Sequence, residues 1–415
     1  MSSLTSLQRL YQRAPMGMRL GLEPMRAACA AAGHPERAFP TVHVSGTNGK
    51  GSVSAMVERI AREAGMRTGL YTSPHLCRFA ERIRIGGEPI DDASLDRHLD
   101  EALRIGEHLS FFETATLAAF LALRDEKVDL AVVEVGLGGR LDATNVILTP
   151  RAAAITRIAL DHTELLGGTL ELIAREKAAI AKPGLDLVLG PIGGTMAAPA
   201  AEQATVREAI EEVARAAGAT ISMADDDAEA RSFAASGPRI GLAGEHQIDN
   251  AKIAFVLGRR IGASAEACAR GIASVSWPGR LETIHAADGD VLLDAAHNPD
   301  GAQALAHHLA DRDPGATALL FGTLADKAWP EMIDRLAPRA AHRVYVAPKG
   351  RAATDPAAIA ARRPGHIAYD VASGYAQARV AVGDRGLVVA CGSVYLGGEL
   401  RALLLGLPRD PPIAL

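Results

Sequence analysis

Short continuous apolar runs alternate along the chain with stretches in which apolar residues recur every three or four positions. Residues 41–45 are β-branched or small and predict a buried strand, and residues 50–64 follow with helical spacing. Residues 129–135 and 152–158 are near-continuous hydrophobic runs, which are typical of parallel strands covered on both faces. Strands joined by helices in this way predict a doubly wound α/β domain.

The other elements predicted in the first two thirds of the chain follow the same alternation. We expect a strand at 68–72 and helices at 20–32, 91–108, 113–124, 245–258 and 265–275. Residues 195–235 are rich in Ala and Glu and include an acidic run at 225–227, so we interpret them as a solvated peripheral helix and loop.

The alternation restarts after the turn formed by residues 277–280. Strands are expected at 291–294, 316–321, 343–347 and 386–390, separated by helices at 302–310, 329–336 and 357–363. The simplest account is a larger domain of residues 1–282 and a smaller α/β domain of residues 283–415.

Composition excludes several classes of function. With 415 residues, 48% of them hydrophobic, the chain can bury a large core. Its formal net charge of −5 provides no basic surface for nucleic acid or anionic lipid. The four cysteines are scattered, which argues against a zinc knuckle or a disulfide framework. Residues 1–15 lack an apolar signal core, and charged or turn residues interrupt every apolar run long before it reaches membrane-spanning length. We expect a soluble, cytoplasmic, monomeric protein with no nucleic-acid or membrane partner.

The candidate chemistry centres on the stretch between the predicted strand at 41–45 and the following helix. It reads Gly46, Thr47, Asn48, Gly49, Lys50, Gly51 and Ser52. Glycines let the backbone approach a ligand, the helix N-terminus offers unpaired N–H groups, and the lysine adds a cation. The spacing departs from the usual phosphate-loop motif, and an ordinary strand-to-helix turn is the alternative. The combination nevertheless favours nucleotide binding.

Four further polar clusters lie just past predicted strands, where α/β sheets bind ligands. Glu134 is a carboxylate inside an apolar strand, so it is either a structural ion pair or a Mg²⁺ ligand. His162, in an Asp-His-Thr turn, is either a packing residue or a ligand. Asp294 opens an Asp-Ala-Ala-His-Asn-Pro turn, and Arg280 lies at the domain junction; both could be plain turn chemistry.

These motifs together resemble folylpolyglutamate synthase, and especially the bacterial bifunctional dihydrofolate synthase/folylpolyglutamate synthase. The resemblance covers nearly the whole chain and rests on residues 46–52, 72–76, 133–136, 139–145, 161–163, 176–180 and 294–299. The wider relatives are the Mur ligases of peptidoglycan synthesis. The resemblance implies an N-terminal P-loop ATPase domain of Mur-ligase type and a smaller, Rossmann-like C-terminal domain that contributes to the ATP and glutamate sites.

The resemblance also implies roles for individual residues. ATP would be held by the phosphate loop, residues 46–52, together with Asn250, Arg280 and Asp294. Mg²⁺, expected as two ions, would be held by Ser73, Glu134 and His162. The pterin pocket would include Phe112, Glu113, Leu141, Asp142 and Ala143. The catalytic candidates are Lys50, Lys177 and His297. Lys177 matches a lysine that is carboxylated on its amine in this family, whereas without the resemblance it would be read as a solvent-facing helical lysine. The chain departs from the family at Ala179, usually Gly, and at Ala295, commonly Val.

The resemblance implies an ATP-dependent ligase that joins L-glutamate to dihydropteroate and to folates through an acyl phosphate. No protein nucleophile is required, which agrees with the scattered cysteines. Two alternatives stay open, namely a Mur-type ligase acting on a UDP-linked substrate and a nucleotide-driven switch that makes no bond. For Asp142, a carboxylate that could pair with pterin N–H groups, the alternative is a cap of the turn that follows it.

Overall fold

A computed structural model describes residues 4–14, 21–192 and 200–411. Four parts of the sequence predictions lie outside these ranges. They are residues 1–3 and 15 of the N-terminal stretch, Leu20 at the start of a predicted helix, and residues 195–199 of the predicted peripheral segment.

The first sheet has eight strands in the order β4-β3-β2-β5-β1-β6-β7-β8. Strands β1, β2 and β5 to β8 run parallel, while β3 and β4 pair antiparallel at one edge. The strands are β1 Thr41–Ser45, β2 Thr68–Tyr71, β3 Ile83–Ile85, β4 Glu88–Pro89, β5 Leu130–Glu134, β6 Ala152–Ile155, β7 Asp186–Leu189 and β8 Thr220–Met223. The predicted strands at 41–45, 68–72, 129–135 and 152–158 are confirmed to within three residues at each end.

Helices cover both faces of this sheet, as expected of strands that are buried on both sides. They are α1 Ser6–Tyr11, α2 Glu23–Ala31, α3 Lys50–Glu63, α4 Asp92–Ile105, α5 Phe111–Asp125, α6 Thr163–Leu166, α7 Leu170–Ala178, α8 Ala200–Ala216, α9 Ala228–Ala235, α10 Gln247–Arg260 and α11 Ala265–Ser274. Helices α2, α4 and α5 share one core with β2 and β5, and α3, α10 and α11 share another with β1. The doubly wound arrangement is therefore confirmed.

Over its described part, the prediction for residues 195–235 is correct in expecting a peripheral helix and wrong in expecting a loop after it. Helix α8 buries Val206, Ala209, Ile210 and Ala214 against the sheet, and β8 extends that sheet as an edge strand. The apolar stripe of α8 is diluted by alanine, and β8 has only four residues, so neither periodicity was prominent. Two residues of the acidic run make local contacts: Asp227 caps α9, and Asp225 forms an ion pair with Lys252.

The second sheet has six strands in the order β13-β12-β11-β14-β10-β9, and only β9 runs antiparallel to its neighbour. The strands are β9 Glu282–Ala286, β10 Gly289–Leu293, β11 Thr317–Phe321, β12 His342–Tyr345, β13 His366–Ile367 and β14 Leu387–Cys391. The helices are α12 Pro299–His308, α13 Trp329–Leu336, α14 Pro356–Arg362, α15 Val371–Val382 and α16 Val394–Leu405. Helices α12 and α13 pack on one face and α15 and α16 on the other, so the α/β class is confirmed for this part too.

In addition to β8, the sequence prediction missed five strands, β3, β4, β7, β9 and β13, and five helices, α1, α6, α9, α15 and α16. Strands β3, β4, β9 and β13 are short or lie at sheet edges, whereas α15 and α16 are apolar over much of their circumference. Among the described residues, no helix combines the length and the apolar character needed to cross a membrane.

Candidate active site

The phosphate loop connects β1 to α3 at the carboxyl edge of the first sheet. Gly49 has φ +90°, and an added Cβ would lie 2.4 Å from Oδ1 of Asn250 on α10. Only glycine combines this left-handed backbone with so close an approach. Lys50 folds back over the loop, since its Nζ donates to the carbonyls of Gly46 at 3.1 Å and Thr47 at 3.0 Å. The ammonium group of Lys50 is thus enclosed by the backbone of its own loop.

All seven residues of the loop line one cavity between the two sheets. The same cavity is lined by the other predicted nucleotide and metal residues, namely Ser73, Glu134, His162, Lys177, Asn250, Arg280, Asp294 and His297. Because the carboxyl ends of parallel strands meet at one edge, residues distant in sequence converge there. The cavity therefore brings together the candidates that the sequence placed at separate strand ends.

Glu134 at the end of β5 is a buried carboxylate, with 6% of its surface exposed. Burial raises its pKa, which the nearby Lys50 opposes. Its Oε2 accepts a hydrogen bond from the backbone N–H of Ser73 at 3.3 Å. A buried carboxylate with one weak partner suits a cation, because a bound cation would offset the cost of burying the charge.

His162 completes the predicted cation site. Burial lowers its pKa to about 4, so the imidazole is neutral at pH 7, which is the form that binds metals. Its Nε2 lies 3.2 Å from Nζ of Lys327. In the part of the chain that the structure describes, no three His, Cys, Asp or Glu side chains group closely enough to hold a metal ion. A cation here would therefore depend on the Ser73 hydroxyl and on oxygens of a bound nucleotide, as Mg²⁺ commonly does.

Lys177 on α7 is buried, so it is not a solvent-facing helical lysine. Its exposure is 3%, and its Nζ donates to the carbonyl of Gly46 in the phosphate loop at 2.8 Å. Burial, reinforced by the charge of Lys50, lowers the pKa of Lys177 to about 7. An appreciable fraction of this amine is thus unprotonated at neutral pH.

The second domain closes the cavity with the turn that follows β10. Asp294 accepts hydrogen bonds from the backbone N–H groups of Leu281 and Ala296, each at 2.9 Å, so both of its oxygens serve the turn. Nδ1 of His297 lies 2.9 Å from the carbonyl oxygen of Ala295, and its Nε2 lies 3.3 Å from Oδ2 of Asp161 in the first domain. His297 therefore joins the two domains at the cleft.

A second cavity of about 680 Å³ adjoins the first at Gly136, Leu137 and Gly138. It is lined by all five residues assigned to the pterin pocket: Phe112, Glu113, Leu141, Asp142 and Ala143. The carboxylate of Glu113, however, accepts from the backbone N–H of Ser110 at 2.8 Å in the capping box of α5. That carboxylate therefore has a structural partner at the wall of the cavity.

Asp142 is held in the same manner. Its Oδ2 accepts from the backbone N–H of Leu137 at 2.8 Å, and its Oδ1 accepts from both the N–H and the hydroxyl of Thr144 at 3.0 and 2.5 Å. The Thr144 hydroxyl also contacts Nε2 of the buried His43 at 2.8 Å. These hydrogen bonds are the ones expected if Asp142 caps the turn that follows it. Burial raises the pKa of Asp142.

Several residues of the cleft escaped the sequence prediction. Arg157 and Asp300 form an ion pair across it, and Nζ of Lys327 lies 2.7 Å from Oδ1 of Asp161. Asp300 follows the Asn-Pro start of α12, a signature that places it in a first helical turn but does not indicate its partner. The four cysteines are free and buried.

Comparison with protein families identifies both halves of the cleft. Residues 44–258 match the Mur ligase middle domain, and residues 279–394 match the Mur ligase, glutamate ligase domain. A folylpolyglutamate synthase of Lacticaseibacillus casei is 34% identical over 402 residues, covering 91% of this chain and 92% of the relative. A probable bifunctional folylpolyglutamate synthase/dihydropteroate synthase of Haloferax volcanii is 35% identical over 76% of this chain. The chain spans 40% of the length of that archaeal relative.

Solved structures agree with these matches. A Mycobacterium tuberculosis folylpolyglutamate synthase complexed with ADP superposes with a TM-score of 0.84 at 31% identity, covering 98% of this chain and 99% of that one. A bifunctional folylpolyglutamate synthase/dihydrofolate synthase with Mn, AMPPNP and L-glutamate bound gives 0.83 at 30% identity over 98% and 99% of the two chains. The fold is that of two α/β domains that meet at a cleft, as in these solved structures. The chain belongs to the Mur ligase family and, within it, to the folylpolyglutamate synthases.

Proposed function

We propose that this enzyme adds L-glutamate to dihydropteroate, forming dihydrofolate, and further glutamates to folates. The observation that carries the proposal is the junction of two cavities at residues 136–138. One contains the phosphate loop with Lys50 and Lys177, and the other is large, with aromatic and aliphatic side chains in its wall. A flat, partly apolar acid bound in the second cavity would present its carboxylate to a nucleotide in the first.

In the first step a carboxylate oxygen attacks the γ-phosphorus of ATP, the bond to the β-phosphate oxygen breaks, and ADP leaves. Lys50, at the start of α3, would stabilise the negative charge that develops on the transferred oxygens. In the second step the amine of glutamate attacks the acyl carbon, phosphate leaves and the amine loses a proton. Closure of the second domain over the first would exclude water, which would otherwise hydrolyse the acyl phosphate.

The finer assignments are part of the same proposal. Ser73, Glu134 and His162 would hold Mg²⁺, expected as two ions, which supplies positive charge next to the phosphates when bound. Lys177 would carry a carboxyl group from CO₂, because only an unprotonated amine reacts with CO₂ and this amine has a pKa of about 7. The domain boundary near residue 282, the monomeric state and the cytoplasmic location stay predictions.

The proposal is tested by measuring ADP release from purified protein with each substrate omitted in turn. We expect release only when glutamate is present together with dihydropteroate or a folate. Release driven by a UDP-linked peptide precursor would instead support a Mur-type substrate. ATP hydrolysis independent of both glutamate and acid would support a nucleotide switch.

Lys50→Ala tests the phosphate loop within this scheme. We expect it to abolish turnover and to leave the fold intact, since the described hydrogen bonds of Lys50 go only to carbonyls of its own loop. Retained turnover would remove Lys50 from the mechanism.

Lys177→Ala tests the carboxylated amine. We expect its activity to be lost and to be partly restored by short carboxylic acids that fill the vacated space. Mass spectrometry of the native protein at high CO₂, compared with Lys177→Ala, provides an independent readout of the modification.

A further inference from the structure

The tip of the phosphate loop is held by side chains of the second domain. Asn48 and Asn298 exchange hydrogen bonds between their amides, Nδ2 of Asn48 to Oδ1 of Asn298 at 3.2 Å and Nδ2 of Asn298 to Oδ1 of Asn48 at 3.0 Å. Nδ2 of Asn48 also donates to Oδ2 of Asp300 at 2.7 Å. The Asn48 side chain is thus directed toward the first turn of α12.

The backbone of the same tip is held by the first domain. The hydroxyl of Thr156 donates to the carbonyl of Asn48 at 2.7 Å, and the N–H of Thr47 donates to the carbonyl of Arg157 at 2.7 Å. Both residues lie directly after β6. The loop tip is therefore fixed on one side by its backbone and on the other by the Asn48 side chain.

Asp300 connects these two sets of contacts. Its Oδ2 accepts from Asn48, and its Oδ1 accepts from the guanidinium of Arg157. Each of the two carboxylate oxygens therefore meets a donor from a different strand-to-loop junction of the first domain. Charge-assisted hydrogen bonds of this kind are stronger and more directional than neutral ones.

Asn298 extends the contact toward the rest of the cleft. It is 1% exposed, its Oδ1 caps α12 through the N–H of Gly301 at 2.9 Å, and its Nδ2 reaches Oδ2 of Asp161 at 3.3 Å. Asp161 in turn holds Lys327 and His297. The phosphate loop is therefore connected through side chains to the side of the cleft formed by Asp161, Lys327 and His297.

We propose that Asp300 is a positioning residue that fixes the phosphate loop through Asn48 and Arg157, so that tight nucleotide binding requires the second domain to be docked. This inference rests on the proposed function only in that the loop binds a nucleotide. If the second domain were undocked, a nucleotide would bind poorly. ATP would then react only when docking has also brought the residues of the second domain that face the cleft into place. The device would limit wasteful hydrolysis.

Asp300→Asn is the sharpest test. An asparagine of the same shape must direct its NH₂ group toward either Asn48 or Arg157, and because both of these are donors, one hydrogen bond is lost. We expect ADP, titrated calorimetrically with Mg²⁺, to bind about tenfold more weakly, the effect of losing one charge-assisted hydrogen bond. KM for ATP should rise more than kcat falls. Asp311→Asn, an exposed position just beyond α12, makes the same charge change and should leave ADP affinity unchanged.

A double-mutant cycle separates positioning from general damage. If Asp300 acts through Asn48, the pair Asn48→Ala and Asp300→Asn should weaken ADP binding no more than the worse single variant. Asp300→Glu should recover part of the affinity, since it keeps both acceptor oxygens. Wild-type affinity in Asp300→Asn, or additive losses in the double variant, would overturn the inference. Failure of the unmodified enzyme to bind ADP would instead overturn the proposed nucleotide site.

Discussion

At the scale of single residues, the most unusual group in the cleft is the buried amine of Lys177. Its ordinary pKa near 10.5 falls to about 7 because burial disfavours the ammonium ion and Lys50 repels it. The folded protein therefore bears a cost at Lys177 that the unfolded chain does not. A buried amine of this kind is a candidate for a functional role and not a source of stability.

The pH dependence of that cost has a definite sign. Between pH about 7 and 10.5 the unfolded chain binds more protons at this site than the folded protein, so the free energy of unfolding rises with pH across this window. At or below pH 7 the unfavourable contribution of Lys177 is fully present. It is progressively relieved as the pH rises above 7.

Lys177→Met should therefore raise the melting temperature while abolishing turnover. The gain should be largest at pH 6 to 7 and should shrink toward pH 10, because methionine fills similar space without a charge. The measurement is thermal unfolding at pH 6, 8 and 10 in CO₂-depleted buffer, which keeps Lys177 as the free amine, with Lys349→Met as the control at a lysine that is largely exposed. A gain that does not change with pH would show that the charge of Lys177 is not the cause.

At the scale of elements, the turn at residues 142–146 joins the wall of the larger cavity to the core of the first sheet. Asp142 caps the short helix Ala143–Val146, and Thr144 connects Asp142 to His43 on β1. Burial lowers the pKa of His43 to about 3, so its ring is neutral and belongs to the core. Any pterin bonded to Asp142 would thus contact a carboxylate that is already fixed by this turn.

Asp142→Ala should damage the use of dihydropteroate more than the extension of folate tails. Loss of a hydrogen-bonded pair to a buried carboxylate costs roughly 1.5–3 kcal/mol, about 10- to 150-fold in kcat/KM. Thr144→Val is the matched control, because it removes the hydroxyl that bonds to Asp142 and to His43 and keeps the carboxylate. It should affect both reactions by a similar, smaller factor. Equal losses for Asp142→Ala in the two reactions would leave only the capping role.

The elements around the site were predictable where local chemistry decides them. Strand β1, the phosphate loop and α3 follow from a β-branched run, three glycines and a helical apolar period. Strand β3 was missed because it has only three residues, β9 because its largely exposed edge position leaves no apolar run, and α8 because alanine obscures its buried face. The partners of Asp300 and Lys327 could not be predicted, since they depend on how two separately patterned domains dock.

At the scale of the whole molecule, the domains also meet behind the predicted cation site. The segment after Ser73 lies against α16, where the thiol of Cys77 contacts the carbonyl of Gly398 at 3.4 Å. The chain beyond α16 returns to the first domain, and Asp410 accepts from the N–H of Phe79 at 2.6 Å. The loop that carries Ser73 is therefore shaped by the second domain as well as by the first.

Two adjacent glycines on α16 allow this docking to be tested. An added Cβ at Gly398 would lie 2.0 Å from the carbonyl oxygen of Leu76, whereas at Gly397 it would meet no atom within 4 Å. Gly398→Ala must therefore displace either the helix or the Ser73 loop, because a backbone oxygen cannot move aside as a flexible side chain could. Overpacking of this kind costs about 1–3 kcal/mol.

We expect Gly398→Ala to reduce ligase turnover and to increase the radius of gyration measured by small-angle X-ray scattering, as the domains separate. Gly397→Ala should keep wild-type turnover and gain about 0.5–1 kcal/mol of stability from its higher helix propensity. Both variants add one methyl group to the same helix, so a difference between them reports the contact with Leu76 and not the loss of a glycine. If the two variants have the same turnover and the same scattering profile, the contact between α16 and the Ser73 loop does not control the active site.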